Sequence, residues 1–461
     1  MNLVSPTYLL FVPAVWLLAQ LARAPRQRQL LLLAASYLFY GSWSLLFLGI
    51  LVGSSALNLA WGRVMRRAPT TRNLWVGIGL NLLILVVFKY IPSAGMLGAI
   101  AMPLGVSFWT FQAISYQFEL YREEELDPDV VEFFLYMAFW PTVLSGPVCR
   151  LPEMLGQFRQ LRRPTWDDLA AGMPRIITGL FLKLVPAQLL AGGLSLGDGL
   201  DAGFDQLTGW GGLDVWALAF AFGFQLFFDF AGYSHMAIGV ARVFGVELRE
   251  NFDRPYLSTA PSVFWTRWHM SLSSWIRDYM FMSLAPLRRS IWWRQLVLGM
   301  SMVLFGLWHG ATLPFLIWGA YHGAVLVAHR QVQSARRALG FEPPGWLGTP
   351  ISWAVTLILM SFGWIFFRSH DLAQIQAMVS AVLNPATYGR TILRLNFYLV
   401  TSLIIAAYFA VELVRSGLRK LEANSAANRM VWLLSPVYYA TLILLIVTWS
   451  GQEGVFVYFA F

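Results

Sequence analysis

The feature that most constrains this chain is a series of apolar runs, each close to the roughly twenty residues an α-helix needs to cross the hydrocarbon of a bilayer. They fall at 5–22, 29–43, 44–62, 74–91, 99–121, 173–193, 213–241, 295–309, 312–329, 350–367, 396–415 and 431–449. Lipid offers backbone amides no water, so runs of this length must close their own hydrogen bonds as helices. Composition agrees: 57% of the 461 residues are hydrophobic and only 12% are charged, against about 25% charged in soluble domains. The expected fold is therefore an all-α polytopic integral membrane protein. The net charge of +9 does not point to nucleic acid, because the arginines sit in short segments between apolar runs and not in a stretch able to track phosphates. One cysteine, Cys149, excludes an intrachain disulfide and any Cys-based metal site. Leu3 to Ala22 has no basic residue before it and reads as a retained first span, not a cleaved signal.

Segment 131–148 is apolar but carries Pro141, Gly146 and Pro147, so its backbone is expected to break inside the membrane, where protein or a water-filled cavity must cover the freed amides. If that segment enters and leaves on one side, the basic clusters at 23–28, 63–72, 150–163, 330–337 and 415–429 all face the cytoplasm and both termini face outward. The loop Gly193 to Asp214 carries Asp198, Asp201, Asp205 and Asp214 with no Lys or Arg, and is expected outside. The acidic loop Glu123 to Asp129 falls inside, which the rule permits because acidic residues contribute little to it. Leu151 to Met173, Ser262 to Leu284 and Asp371 to Leu383 mix apolar and charged residues at helical spacing and suit the interface. No repeat or linker divides the chain, so one integral domain, 1–461, is expected, with a core at about 100–330 and C-terminal helices over 331–461.

Polar chemistry concentrates between Phe220 and His322, where four of the six histidines lie: His235, His269, His309 and His322. Ionisable groups at lipid depth are costly, and such a cluster marks a functional site. His309 is flanked by Gly306 and Gly310, small residues expected to leave room for a substrate chain beside the imidazole. His269 sits in a segment rich in Trp and Arg, with Trp265, Arg267, Trp268, Trp275, Arg277 and Asp278; an interfacial helix in an aromatic belt accounts for the segment, and only the histidine asks for more. Arg267 and Arg277 are suited to donor phosphates, lipid phosphates or Asp278 alike. Gln225 and Asp229, four residues apart, share a helix face with Tyr233 one turn on. Asp229 either orients a histidine or pairs with an arginine such as Arg254. His329 and His370 lie at span ends beside Arg330 and Arg368, where a solvated position is the default. No two histidines share the HxxxH spacing that sets metal ligands on one helix face.

Six segments in order, PLGVSFWTFQAISYQFELYR (Pro103 to Arg122), FWPTVLSGPVCR (Phe139 to Arg150), FFDFAGYSHMAIG (Phe227 to Gly239), ENFDRPY (Glu250 to Tyr256), FWTRWHMSLSSWIRDYMF (Phe264 to Phe281) and GLWHGATLPFLIWGAYHG (Gly306 to Gly323), carry a resemblance to a known family. The chain resembles the membrane-bound O-acyltransferase (MBOAT) superfamily, in particular its bacterial branch containing the alginate O-acetylation protein and the D-alanyl transfer protein of teichoic acid modification. The resemblance implies a bundle of about eleven to twelve transmembrane helices, with re-entrant and interfacial helices, around a central cavity. It also implies that His309 is the catalytic histidine and His269 the second, in a position that other branches fill with Asn or Asp. His322 matches a further histidine of the alginate-type branch, with Tyr321 where that branch has Trp. One departure is His235, where alginate-type sequences carry Asp after Gly-Tyr-Ser; acceptor or partner identity is the point it bears on.

Acyl transfer from a thioester to a hydroxyl needs a base that works near neutral pH and can return the proton to the leaving thiol, and histidine has the matching unperturbed pKa of about 6.5. An isolated intramembrane histidine is more often an inert one hydrogen-bonded between helices; the six-motif context reverses that for His309. His269 is placed to orient the acceptor or to stabilise the oxyanion. His322, Asp229, Gln225, Tyr233, Arg267, Trp268, Arg277 and Asn251 form the candidate substrate-binding set, with no metal and no cofactor. The expected activity is O-acyl transfer in the bacterial inner membrane, from acetyl-CoA or another cytoplasmic acyl thioester to an exported polysaccharide of the alginate or cellulose kind, directly or through periplasmic acetyltransferase partner proteins. Two other readings stand beside it: a transporter of polysaccharide or lipid-linked sugar, which predicts inverted repeats, and a noncatalytic scaffold of a synthase complex.

Overall fold

The computed structural model describes residues 1, 3–91, 102–122, 125–193, 199–205, 207–340, 344–421 and 425–449. Part of the expected 99–121 span and of the loops at 123–129 and 193–214 lies outside the described residues. Among the described residues every regular element is helical. Seven helical stretches among the described residues are long and apolar enough to cross a membrane: Leu45–Arg67, Thr71–Tyr90, Trp166–Gly192, Gly212–Val243, Ile291–His309, Gly345–Arg368 and Leu395–Leu418. Other expected spans fall short in length, as in Pro6–Leu21 with 16 residues, or are less apolar, as in Leu313–Ala338, whose apolar run is interrupted by Pro314, Trp318, Tyr321, His322 and His329.

The helices used below are α1 (Leu45–Arg67), α2 (Thr71–Leu85), α3 (Val106–Tyr121), α4 (Val130–Ala138), α5 (Trp166–Leu184), α6 (Gly212–Val243), α7 (Ile291–His309), α8 (Leu313–Ala338), α9 (Gly345–Arg368) and α10 (Leu395–Leu421). The chain falls into two compact units, interleaved in sequence. One comprises Met1–Gly179, Tyr233–Asn251 and Arg277–Tyr279; the other comprises Leu180–Gly232, Phe252–Ile276 and Met280–Phe461.

In the first unit, helix starts follow local side-chain chemistry. Ser44 and Thr70 accept the amide N–H groups of Phe47 and Asn73 at 3.4 and 3.3 Å. Asp129 and Glu132 cap one another's amides at 3.0 and 2.9 Å, a reciprocal box that satisfies two orphan donors. Polar residues buried in α1, α2 and α3 find each other: the Asn58 and Asn81 amides exchange hydrogen bonds of 3.0 and 2.8 Å, and Gln117 donates to Asn58 Oδ1 at 3.2 Å. This is the interhelical glue open to apolar helices that gain nothing from leaving lipid. The expected break in 131–148 is present. Helix α4 stops at Ala138, Phe139 turns out of helical geometry, and residues 139–149 run as buried turns. Their amides are covered by protein: Trp140 donates its backbone N–H to Ser36 Oγ at 3.2 Å, and its ring packs edge-on against Phe11 and Phe244. Gly105 has φ +70°, and a Cβ there would collide with the Val143 carbonyl of this broken segment.

In the second unit, α7 and α8 form an antiparallel hairpin held backbone to backbone by glycine. A Cβ on Gly306 would strike the Phe315 carbonyl, one on Gly319 would lie 2.9 Å from Val303 Cα, and one on Gly323 would lie 3.1 Å from Gly299. Small residues let helices without a hydrophobic drive between them approach to van der Waals contact. On the expected outer side, the described acidic residues Asp201, Asp205 and Asp214 make internal bonds. Asp214 is fully buried and accepts the backbone N–H groups of Gly211, Ile392 and Leu393 at 2.7–3.2 Å. Asp201 and Asp205 both pair with Arg368 at the end of α9, and Asp205 also meets His370 at 2.7 Å.

Candidate active site

Three of the predicted histidines come together in the second unit. His309 ends α7, where Gly310 turns the chain, and its ring is enclosed by aromatic neighbours: Trp308 at 4.6 Å between centroids, Phe367 at 4.9 Å, Phe305 at 5.1 Å and Trp318 at 5.3 Å. His322, on α8 a turn beyond Trp318, stands edge to face with Trp318 at 5.0 Å and Trp265 at 5.1 Å. His269 stands edge-on to Phe230 at 4.7 Å and is 6.4 Å from Trp308. Trp308 and Trp318 thus link all three imidazoles into one aromatic cluster, and each histidine is at most 5% exposed.

The backbone around His269 is unusual. The residue holds a left-handed conformation at φ +43°, and it caps the short helix Met270–Trp275. The expected single interfacial helix over 262–284 is therefore divided, into Pro261–Trp265, Met270–Trp275 and a π-helical stretch Ile276–Phe281. A non-glycine residue in this region costs on the order of 1–3 kcal/mol and persists where the surroundings impose it, often at functional sites. Arg254 does the same at φ +49°, and the two kinks are tied by the Asp253 N–H donating to the Arg267 carbonyl at 3.0 Å. Burial pushes the His269 pKa down, to about 3, so its ring is neutral at physiological pH, with one nitrogen to donate and one to accept.

His322 is only 1% exposed. Neither ring nitrogen has a hydrogen-bond partner among the described residues. Its Nε2 points at Gly363 on α9, in the space a Cβ would fill. Tyr321 beside it donates to the Leu359 carbonyl of α9 at 2.8 Å.

The remaining candidates separate. Asp229 is paired within the second unit, and its partner is Lys183 of α5 and not Arg254, which binds Asp253 at 2.9 Å instead. Lys183 was not among the predicted residues, although a lone lysine in the apolar run 173–193 was a visible signal. Gln225 is buried on α6 one turn before Asp229. Trp268 stacks on Phe264 at 5.5 Å in the aromatic core. Arg267 is half-buried and has no ion pair among the described residues. Tyr233, Asn251 and Arg277 belong to the first unit. There Asn251 donates to Ser234 Oγ at 3.1 Å. Arg277 binds Asp278 at 2.7 Å, and Arg150 meets the same carboxylate at 2.5 Å. Burial raises the Asp278 pKa, but hydrogen bonds from Arg277 and Arg150 outweigh it and hold the group below the usual carboxylate range. His235 takes the Arg175 guanidinium at 3.1 Å on Nδ1, and Arg175 also binds Glu250. The space beside His309 that Gly306 and Gly310 were expected to leave for substrate is filled: Phe315 occupies both positions, with its carbonyl at Gly306 and its ring 2.6 Å from a Cβ on Gly310. These glycines serve helix packing. Among the described residues no three His, Cys, Asp or Glu side chains gather as metal ligands do.

Residues 80–368, which contain every one of these side chains, match the membrane-bound O-acyltransferase family. The chain belongs to this family. As a membrane O-acyltransferase it is 35% identical over 448 residues to a probable alginate O-acetylase of Pseudomonas aeruginosa, covering 91% of this chain and 83% of that protein. It is 29% identical over 401 residues to a peptidoglycan O-acetyltransferase of Helicobacter pylori, covering 77% and 74%. It is also 30% identical over 308 residues to a teichoic acid D-alanyltransferase of Streptococcus thermophilus, covering 62% and 73%. Family membership favours the enzyme reading over the transporter and scaffold readings.

Proposed function

We propose that this O-acyltransferase moves an acetyl group from a cytoplasmic thioester, acetyl-CoA, to hydroxyls of an exported polysaccharide in the bacterial inner membrane. The acceptor is of the alginate type, a reading supported by the 35% identical relative; none of the similar proteins speaks for cellulose. Periplasmic acetyltransferase proteins either receive the acyl group or act alongside. The observation that carries the chemistry is the enclosure of His309, His269 and His322 in one aromatic cluster within the family-matched region.

His309 is the general base. It takes the proton of the acceptor hydroxyl as the oxygen attacks the thioester carbonyl, and returns it to the sulfur as the C–S bond breaks. A water-excluding aromatic shell strengthens each polar contact made inside it. Neutral His269 donates to the oxyanion of the tetrahedral intermediate. His322, with both nitrogens open, hydrogen-bonds the acceptor. Asp229 and Gln225 on α6, with Arg267 and Trp268, shape the substrate path within the second unit, Asp229 through the Lys183 it holds.

The test is purified protein with radiolabelled acetyl-CoA and an alginate oligosaccharide. His309→Ala is expected to lower transfer by about 10²- to 10⁴-fold, the usual worth of general acid–base action, with unchanged expression and membrane insertion. Wild-type transfer by that variant would refute the assignment.

A further inference from the structure

From Tyr279 to Phe341 the sequence contains no Asp or Glu, yet it carries six arginines: Arg288, Arg289, Arg294, Arg330, Arg336 and Arg337. The α7–α8 hairpin brings these together. Gly299 of α7 faces Gly323 of α8, so in an antiparallel pair the start of α7 lies beside the second half of α8. At a rise of about 1.5 Å per residue, Arg294 and Arg330 each lie within roughly 11 Å along the axis of that glycine contact, toward the same end. Arg288 and Arg289 precede α7, and Arg336 and Arg337 close α8, at that end too.

Several arginines flanking other spans are matched by carboxylates: Arg26 with Asp129, Arg66 with Asp127, Arg159 with Glu132, and Arg249 with Glu153. None of the six has an ion pair among the described residues. Arg288 is instead pinned by its guanidinium 4.8 Å over the Trp293 ring, and Trp293 donates to the Leu284 carbonyl at 2.9 Å. Arg330 lies 5.7 Å over Phe281. Between the arginines the surface is apolar: Leu287, Ile291 and Trp292 are 69%, 60% and 72% exposed. A soluble anion would satisfy the charge and leave that apolar edge wet, whereas a phospholipid satisfies both, with its phosphate on the guanidinium groups and its acyl chains on the apolar edge.

We propose that the arginine-bearing end of the α7–α8 hairpin is a binding site for the headgroup phosphates of anionic phospholipids. Arg288, Arg289 and Arg294 hold the phosphate, and Trp292 sits at the headgroup level, where indole rings anchor membrane proteins. The positive-inside rule sets this end in the cytoplasmic leaflet.

The test reconstitutes the full chain into phosphatidylcholine vesicles with spin-labelled phosphatidylglycerol or spin-labelled phosphatidylcholine and compares the fraction of each label immobilised on the protein. Wild type is expected to prefer phosphatidylglycerol by about fivefold per arginine engaged. R288Q/R289Q/R294Q brings the preference close to unity, the triple lysine variant keeps most of it, and high salt weakens it in wild type. All three side chains are exposed, so the glutamine variant should keep the wild-type Tm in phosphatidylcholine. Equal immobilisation of the two labels by wild type, or undiminished preference in the glutamine variant, would overturn the proposal. Release of the phosphatidylglycerol label by added coenzyme A would also overturn it, by assigning the arginines to a soluble donor.

Discussion

Lys183 and Asp229 offer the sharpest quantitative test, because both side chains are only 4% exposed and they bind each other. Removing one partner takes this ion pair from the other where no water can replace it. Such losses cost about 3–5 kcal/mol, whereas replacing both members of a buried pair with apolar residues is often neutral or better. With almost no exposure, solvent screening takes little off that figure. Lys183→Met and Asp229→Asn should therefore each lower Tm in detergent micelles by roughly 5 °C or more, and Lys183→Met/Asp229→Leu should stay within about 1 kcal/mol of wild type. The two single losses would then fail to add, giving a coupling energy of several kcal/mol in the double-mutant cycle. Silent single variants, or a double variant that loses their sum, would refute the reasoning. Transfer by the stable double variant then separates the two roles of Asp229, since a residue that only holds Lys183 leaves turnover intact.

Two further outcomes follow from the site. The folded-state pKa of His269 is depressed by burial to about 3 from an unfolded value of 6.5, so the stability it contributes is complete above pH 6.5 and is lost as pH falls toward 3. At pH 5 the loss should be about 2 kcal/mol, and His269→Gln should flatten the slope of Tm against pH between 7 and 5; an unchanged slope counts against a buried neutral imidazole. In the hairpin, Gly306→Ala presses a methyl group on the Phe315 carbonyl and should cost about 1–3 kcal/mol and displace His309, so that Tm and transfer fall together. Gly299→Ala meets nothing within 4 Å and should be tolerated, or stabilise the helix by up to about 1 kcal/mol.

What could be read from the sequence was whatever lipid imposes one residue at a time. Apolar length announced the helices, and Pro141, Gly146 and Pro147 announced the break after α4. The family motifs marked His309, His269 and His322 before any geometry was known. What escaped depends on partners distant in the chain. Gly306 and Gly310 look like room for substrate until Phe315 is seen in that room. Asp229 asks for a cation, but nothing local distinguishes Arg254 from Lys183, which is 46 residues away. The left-handed turn at His269 has no glycine to signal it. Nor does a continuous 32-residue α6 indicate that Tyr233 onward packs with the first unit, because the boundary lies in what surrounds the helix and not in the helix.

The same 46-residue separation between Lys183 and Asp229 has a consequence for biosynthesis. Lys183 leaves the ribosome first, in a helix whose partner does not yet exist. At about 5–20 residues per second the wait lasts roughly 2–9 s. During it, α5 carries a lysine that would cost about 2.5–3.5 kcal/mol at the centre of a lone inserted helix. The arrival of α6 removes that cost, so the insertion of α5 and α6 is coupled, with the ion pair as its latch.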